Sequence, residues 1–401
     1  MSAPAIQETG SLAALLDFCR EVTQDTEFGE AKRWLEKHPG RKAFGYFPIY
    51  TPLELIHAAG MLPVGVFGGG NQIEIAHADS RFQSFVCSIV KSTLELGLTR
   101  RLEFLSGMVF HSICDPARNL ASVFQRNFPE MQIEYIHFPQ NFQSPECVVY
   151  LESEYRRVLH GLEQLAGHQV TAEDLNHSIA LHNRIRAALR DLYRIRAESP
   201  HLLSAAETWL LMRVGTLSAP EEHLQLLEQA LTEIPRRATR PKDRIRVILE
   251  GAFCEQPPLG LIECLEEAGC YILDDDFLRG GRWLTGDVPL EDNPLRALAE
   301  SYANRSVYSG VKHDLREPKA EHLIRSVREA KADAVIFLAA KFCEPALFDY
   351  ALYRRAFDQN NIPHLLVEFE EKAWIHDRAR SEVETFVESI LFDCWGSPFR
   401  V

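Results

Sequence analysis

The chain has no basic tract, no long apolar run and no closely spaced cysteine pair. Lys and Arg number 43 against 57 Asp and Glu, a net charge of −14. Without a cluster of positive charge to meet phosphates, nucleic acid is not an expected partner. No apolar run approaches the ~20 residues of a bilayer span, so no membrane is expected either. The opening segment carries acids and no cleavable apolar core, which leads to the expectation of a cytoplasmic protein. Nine cysteines, an odd number in a long chain with no leader expected, do not make a disulfide framework. GxGxxG and GxxxxGK[ST] are both absent, so Gly68-Gly69-Gly70 is not a nucleotide fingerprint. Any ATP used with this chain is expected on another chain. No GxSxG elbow and no HExxH occur.

What is present is ordinary globular material: 401 residues, 46% hydrophobic and 25% charged. That length suits two or three domains. Residues 1–40 read as a helical lead-in, from the helical spacing of apolar residues in Leu12–Glu21 and Glu30–Lys37. Residues 41–151 alternate strands (Lys42–Phe47, Leu62–Phe67, Ser106–Ile113, Ile133–Phe138) with helices, the pattern of an α/β domain with a parallel sheet. Over 152–243 the strand signal disappears, and Ala172–Arg196 and Ala219–Ile234 read as helices of a connector. A second α/β domain is expected over 244–401. Its strands are Arg244–Leu249, Cys270–Asp274, Val335–Ala339 and Pro363–Phe369, and Arg378–Leu391 is its last long helix.

One device occurs in both halves. Val335–Ala339 is a buried strand, followed by Cys343 and then Glu344-Pro345-Ala346 opening a helix. Ser106–Ile113 is followed by Cys114 and Asp115-Pro116-Ala117. Proline suits the first helical turn, where its missing N–H leaves nothing unpaired. A thiol at a helix start is expected to have a lowered pKa and to favour the metal-binding thiolate. Cys87, taken alone beside Phe85, Val86, Ile89 and Val90, reads as a small buried apolar residue. Cys254 follows a strand and precedes Glu255, Pro257 and Pro258, so it is a rival or fourth ligand, or lines the same cleft. Thiolates from separate segments suit a cuboidal iron–sulfur cluster or a zinc ion, and spacing alone does not choose. Cys19, Cys264 and Cys270 read as packing, and Cys147 and Cys394 as structural.

Other candidates are weaker. Asp274-Asp275-Asp276 closes a strand and is expected to be solvated and to cap a turn, with cation binding as the sharper reading. Glu54 is a candidate catalytic acid. It also completes a capping box, Thr51-Pro52-Leu53-Glu54, and that role is the expected one. His111 and His137 stand at strand ends and read as core or surface histidines.

The run Tyr50–Pro63, YTPLELIHAAGMLP, together with FVCSIVK around Cys87, ICDPARN around Cys114 and KFCEPALFDY around Cys343, resembles the 2-hydroxyacyl-CoA dehydratase and benzoyl-CoA reductase family. The resemblance covers about Ala43 to Glu388. It implies two flavodoxin-like (Rossmann-like) parallel-sheet domains with a [4Fe–4S] cluster held by Cys87, Cys114 and Cys343. Ile248–Phe277 and Ser122–Phe142 are most similar to the reductase branch. That likeness implies an ATP-dependent reductase that dearomatises benzoyl-CoA, with ferredoxin as electron donor. The expected assembly is a heterotetramer with a homologous cluster-bearing subunit and two ATPase activator subunits. A 2-hydroxyacyl-CoA dehydratase subunit and a non-catalytic electron-relay subunit are the competing implications.

Overall fold

The computed structural model describes residues 11–47, 49–277, 284–307, 309, 312, 318–370 and 376–393. Two four-stranded sheets, each wholly parallel, organise the chain. The first has the order β2-β1-β3-β4, from β1 (Ala43–Tyr46), β2 (Leu62–Gly65), β3 (Leu105–His111) and β4 (Gln132–Ile136). The second repeats it as β6-β5-β7-β8, from β5 (Ile245–Glu250), β6 (Cys270–Asp274), β7 (Ala334–Ala340) and β8 (His364–Phe369). This is the flavodoxin-like arrangement, so the α/β reading holds. In each sheet the order reverses beside the first strand, and ligands of open α/β sheets bind outside the carboxyl ends at such a switch point. β7 is AVIFLAA and buried at every residue, as expected of a central strand covered on both faces.

Helices α1 (Leu12–Gln24) and α2 (Gly29–Lys37) form the lead-in. Between the strands of the first half run α3 (Leu53–Ala58), α4 (Ser88–Leu98) and α5 (Asp115–Asn127). The long helices α6 (Glu146–Ala166) and α7 (Ala172–Glu198) follow, then α8 (Ala205–Arg213) and α9 (Pro220–Glu233). The second half adds α10 (Leu259–Glu267), α11 (Pro294–Arg305), α12 (Lys319–Ala330), α13 (Glu344–Asn360) and α14 (Asp377–Asp393). Two of these, α4 and α11, carry no clear periodic signal in the sequence. α4 is buried nearly throughout, so it lacks the polar face that makes a helix legible. Among the described residues no helix is long and apolar enough to cross a membrane. Cys394 lies outside the described residues.

The middle helices tie the halves together. α6 packs on β4, and α7 packs on α3 of the first half and β6 of the second. The α7–β6 contact carries an ion pair with no exposure on either side chain: Arg196 Nη2 donates to Asp275 Oδ2 at 2.6 Å. Tyr193 also donates to Asp275, at 2.8 Å, and the Arg196 guanidinium lies 4.3 Å from the Tyr193 ring centroid. The acidic run at 274–276 therefore differs from the expected solvated loop: Asp275 and Asp276 are buried. Burying them without partners would cost far more than an exposed loop, so each is met by donors. Removing one partner of such a pair strands the other charge. Asp275→Asn is expected to lose about 3–5 kcal/mol of stability, read as a lowered urea midpoint. A loss below about 1 kcal/mol would show that Arg196 finds another partner.

Candidate metal centre

Three helices begin at a cysteine. Cys87 is the N-cap of α4, Cys114 of α5 and Cys343 of α13, the last two with proline in the first turn. Cys114 follows β3 and Cys343 follows β7, the corresponding third strands of the two sheets. Cys254 lies on the segment leaving β5. The fold brings all four together. Cys87 feels the charge of Cys114 and Cys343, and Cys254 that of all three. Glu344, in the first turn of α13, likewise acts on Cys114. Cys87 is buried and the other three are half-buried. Cys19, Cys264, Cys270 and Cys147 are buried.

The expected lowering of the thiol pKa values does not occur. Burial pushes Cys87 and Cys254 well up, raises Cys114, and takes Cys343 to about 12. The amides of Val90, Ala117 and Ala346, each three residues on, pull the other way. None makes a full capping hydrogen bond. Desolvation wins because a buried thiolate has no bulk water to spread its charge. Nearby acids reinforce it: Glu255 acts on Cys87 and Cys343, and Asp276 on Cys254 and Cys343. These donors fit a group that brings its own positive charge. Among the described residues no three His, Cys, Asp or Glu side chains stand close enough to hold a single ion. A cuboidal cluster instead takes one thiolate per iron corner, which suits thiols on three separate helix starts.

Second-half residues fix the surroundings. Glu255 is buried, takes a hydrogen bond from Ser88 Oγ and another from the Ile89 amide at 3.2 Å, and so caps α4 beside Cys87. Asp276 accepts from the Gly251 and Ala252 amides at 2.8 and 3.0 Å and holds the segment that carries Cys254. Gly251 has φ +109°, and a Cβ there would stand 2.5 Å from the Leu338 carbonyl oxygen, so only glycine fits.

A narrow cavity of about 70 Å³ opens beside Cys254, lined by Thr51, Glu54, His182, Arg186, His223 and Phe253 among others. Glu54 does not complete a capping box. The N-cap of α3 is Pro52, with no side-chain cap. Thr51 instead meets His111 Nε2 at 3.0 Å, and Arg186 donates to Glu54 at 2.7 Å. Tertiary partners on β3 and α7 displaced the local ones. Burial alone would raise the Glu54 pKa, but Arg186 holds it below its ordinary value. Desolvation brings His111 down to about 3 and His182 and His223 to about 4, so all three are neutral. His137 is exposed. Phe67 and Gln256 line both this cavity and a larger cleft of about 360 Å³, which also takes in Gly68-Gly69-Gly70 and Glu255. His182, Arg186 and His223 had no sequence signal, because on helices of mixed polarity they look like any surface residue.

A strand-end cysteine group between two flavodoxin-like sheets, with an inner cavity beside it, defines an α/β protein built for chemistry between its halves. A profile of the 2-hydroxyglutaryl-CoA dehydratase D-component family matches residues 48–390, and the chain belongs to that family. It is 37% identical over 95% of its length to a benzoyl-CoA reductase subunit of Thauera aromatica, covering 99% of that protein. It is 29% identical over 90% of its length to the (R)-phenyllactyl-CoA dehydratase beta subunit of Clostridium sporogenes, covering 95% of it. Against the (R)-2-hydroxyglutaryl-CoA dehydratase beta subunit of Acidaminococcus fermentans the identity is 27%, over 95% of this chain and 100% of the relative. Each of these relatives is named as one subunit of an enzyme.

The buried histidines set a pH dependence. The native His182 and His223 rings take a proton only near pH 4, whereas unfolded histidine takes it near 6.5. Stability is therefore whole above about 6.5 and falls as pH drops towards 4. Acidification from pH 7 to 5 is expected to cost about 2 kcal/mol per ring. Urea unfolding at the two pH values reads it, and an unchanged midpoint would mean that these rings are protonated in the native protein.

Proposed function

We propose that this chain is the iron–sulfur subunit of an ATP-dependent, ferredoxin-driven benzoyl-CoA reductase, which dearomatises benzoyl-CoA to a cyclohexadiene-carbonyl-CoA in anaerobic aromatic degradation. The observation that carries it is the meeting of Cys114 and Cys343, past the ends of β3 and β7, with Cys87 at the start of α4 and with Cys254 at an apolar-walled cavity. Cys87, Cys114 and Cys343 would hold a [4Fe–4S] cluster, and Cys254 stands as a further ligand. When bound, such a centre supplies low-potential electron transfer, reaching roughly −700 mV at its lower extreme. The higher identity to a reductase subunit than to the dehydratase subunits supports the reductase reading.

The chain's own residues supply a dry, charged pocket. Apolar walls keep water from the reacting centre, and the Glu54–Arg186 pair holds a fixed dipole there. At about 70 Å³ the cavity is far smaller than the ~300–1,000 Å³ of a ligand pocket, so binding an aryl ring here requires Phe67 or Gln256 to swing aside. ATP would be hydrolysed on two activator subunits, and a homologous cluster-bearing subunit would complete a cytoplasmic heterotetramer. Phe85 and Phe342, within two residues of Cys87 and Cys343, are exposed, as are Phe348 and Leu352 further along α13, and this exposure supports a partner. The dehydratase relatives favour a second reading, a 2-hydroxyacyl-CoA dehydratase subunit with the same cysteine site.

The test is anoxic co-expression with the cluster-bearing partner and the activators. Iron and sulfide content and the EPR of the reduced complex are compared for wild type, Cys87→Ala, Cys114→Ala and Cys343→Ala, with Cys254→Ala alongside. Each of the first three variants is expected to lose one cluster's signal, and wild type to reduce benzoyl-CoA. Retention of the full signal in those variants would refute the ligand set. Turnover of a 2-hydroxyacyl-CoA but not of benzoyl-CoA would move the assignment to the dehydratase.

A further inference from the structure

The inner cavity and the neighbouring cleft are two spaces with a thin wall between them. The cavity, about 70 Å³, is lined by Cys254 and Glu54 among others. The cleft, about 360 Å³, lies between the lead-in, Gly68-Gly69-Gly70, the end of α8 and the segment that follows Cys254. Phe67 and Gln256 line both spaces and so form the wall. They are held differently. Gln256 Nε2 donates to the Ala252 carbonyl oxygen at 2.8 Å, and the Ala252 amide is itself held by Asp276 at 3.0 Å. Moving Gln256 breaks a hydrogen bond inside the segment that carries Cys254. Phe67 follows β2 and is half-buried, and a phenyl ring has no hydrogen bond to break.

The ring stands between groups that belong to opposite sides of the wall. Tyr46, which lines the cavity, meets it edge to face at 5.6 Å between centroids. Arg213, which lines the cleft, holds its guanidinium 4.6 Å from the ring centroid. Both kinds of contact are weak beside a buried hydrogen-bonded charge. Gly65 of β2 makes room for the ring: a Cβ there would stand 2.8 Å from Phe67 Cε2. An acyl thioester carries its acyl group at the end of a long, thin arm. The cleft already has the ~300–1,000 Å³ of a ligand pocket, and the cavity reaches that size only by joining it. A dry site must open for the acyl group and then close around the arm.

We propose that Phe67 is the gate between cleft and cavity, and that its bulk sets which acyl groups enter. The substrate class rests on the proposed function, whereas the gate rests on the geometry of the wall. Phe67 acts here on specificity and not on the reacting atoms.

The full chain, without a cluster, is treated with iodoacetamide, and alkylation of each cysteine is followed by peptide mass spectrometry. Cys254 reports on the cavity, Cys343 on entry from the side of the other thiols, and the buried Cys19 and Cys270 on general loosening. With the gate open in about 0.1–10% of molecules, Phe67→Ala is expected to speed alkylation of Cys254 roughly tenfold or more. Phe67→Leu, which keeps an apolar side chain in the wall, is expected to fall between Phe67→Ala and wild type. Cys343, Cys19 and Cys270 are expected to keep their wild-type rates. A Cys254 rate unchanged in both variants would overturn the gate, and so would a rise shared by the other three cysteines. In the anoxic holo-complex, Phe67→Ala is expected to raise kcat/KM for para-propylbenzoyl-CoA relative to benzoyl-CoA roughly tenfold, the scale on which apolar pockets discriminate by size. An unchanged ratio would overturn the role in specificity. A complex inert towards benzoyl-CoA, with Cys254 still unmasked by Phe67→Ala, would overturn the functional reading and leave the gate standing.

Discussion

Charge buried between two parallel sheets is the constraint from which the interior follows. Ion pairs and carboxylates sit where water cannot reach them, and each is stable only because the fold delivers a partner. Arg186 meets Glu54, Arg196 meets Asp275, and backbone amides meet Asp276 and Glu255. The four thiols are the exception. Burial raises all of them, and acids around them add to the effect. A group of thiols held together and kept from water ionises poorly by itself and is well matched to a cationic centre.

The two halves use the same topology for different ends. The third strand of each sheet leads to a cysteine, a proline-bearing first turn and a helix. The first strands do not match. β1 leads to Thr51 and Glu54, whereas β5 leads to Phe253, Cys254 and Glu255, and the cavity lies between these two exits. Equivalent strand ends thus supply Cys114 and Cys343, and non-equivalent ones shape the pocket beside them and bring Cys254. The middle helices add the polar groups that neither sheet contributes.

Stability and chemistry are coupled in this arrangement. The segment carrying Cys254 is held by Asp276, and the start of α4 at Cys87 by Glu255. Glu255 belongs to the second half and α4 to the first, so docking of the halves fixes the start of α4 at Cys87, whereas Asp276 and the Cys254 segment lie in the same half. Phe85 and Phe342, close in sequence to Cys87 and Cys343, stay exposed in the chain.

The alternation of strands and helices was legible in the sequence because periodicity, prolines and glycines act over a few residues. So was the kinship of Cys114 and Cys343, since a strand, a thiol and a proline-led helix are contiguous. Cys87 was legible as a site residue only through family likeness, because its helix is buried on all sides and shows no polar face. The local reading of Glu54 as a capping residue failed, since Arg186, 132 residues away, is a stronger partner than a helix amide. His182 and His223 carry no signature that separates them from ordinary helical polar residues. Short-range hydrogen bonding and apolar spacing are properties of the sequence itself. Which buried charge meets which partner depends on how α3, α7 and α9 pack, and only the tertiary structure decided that.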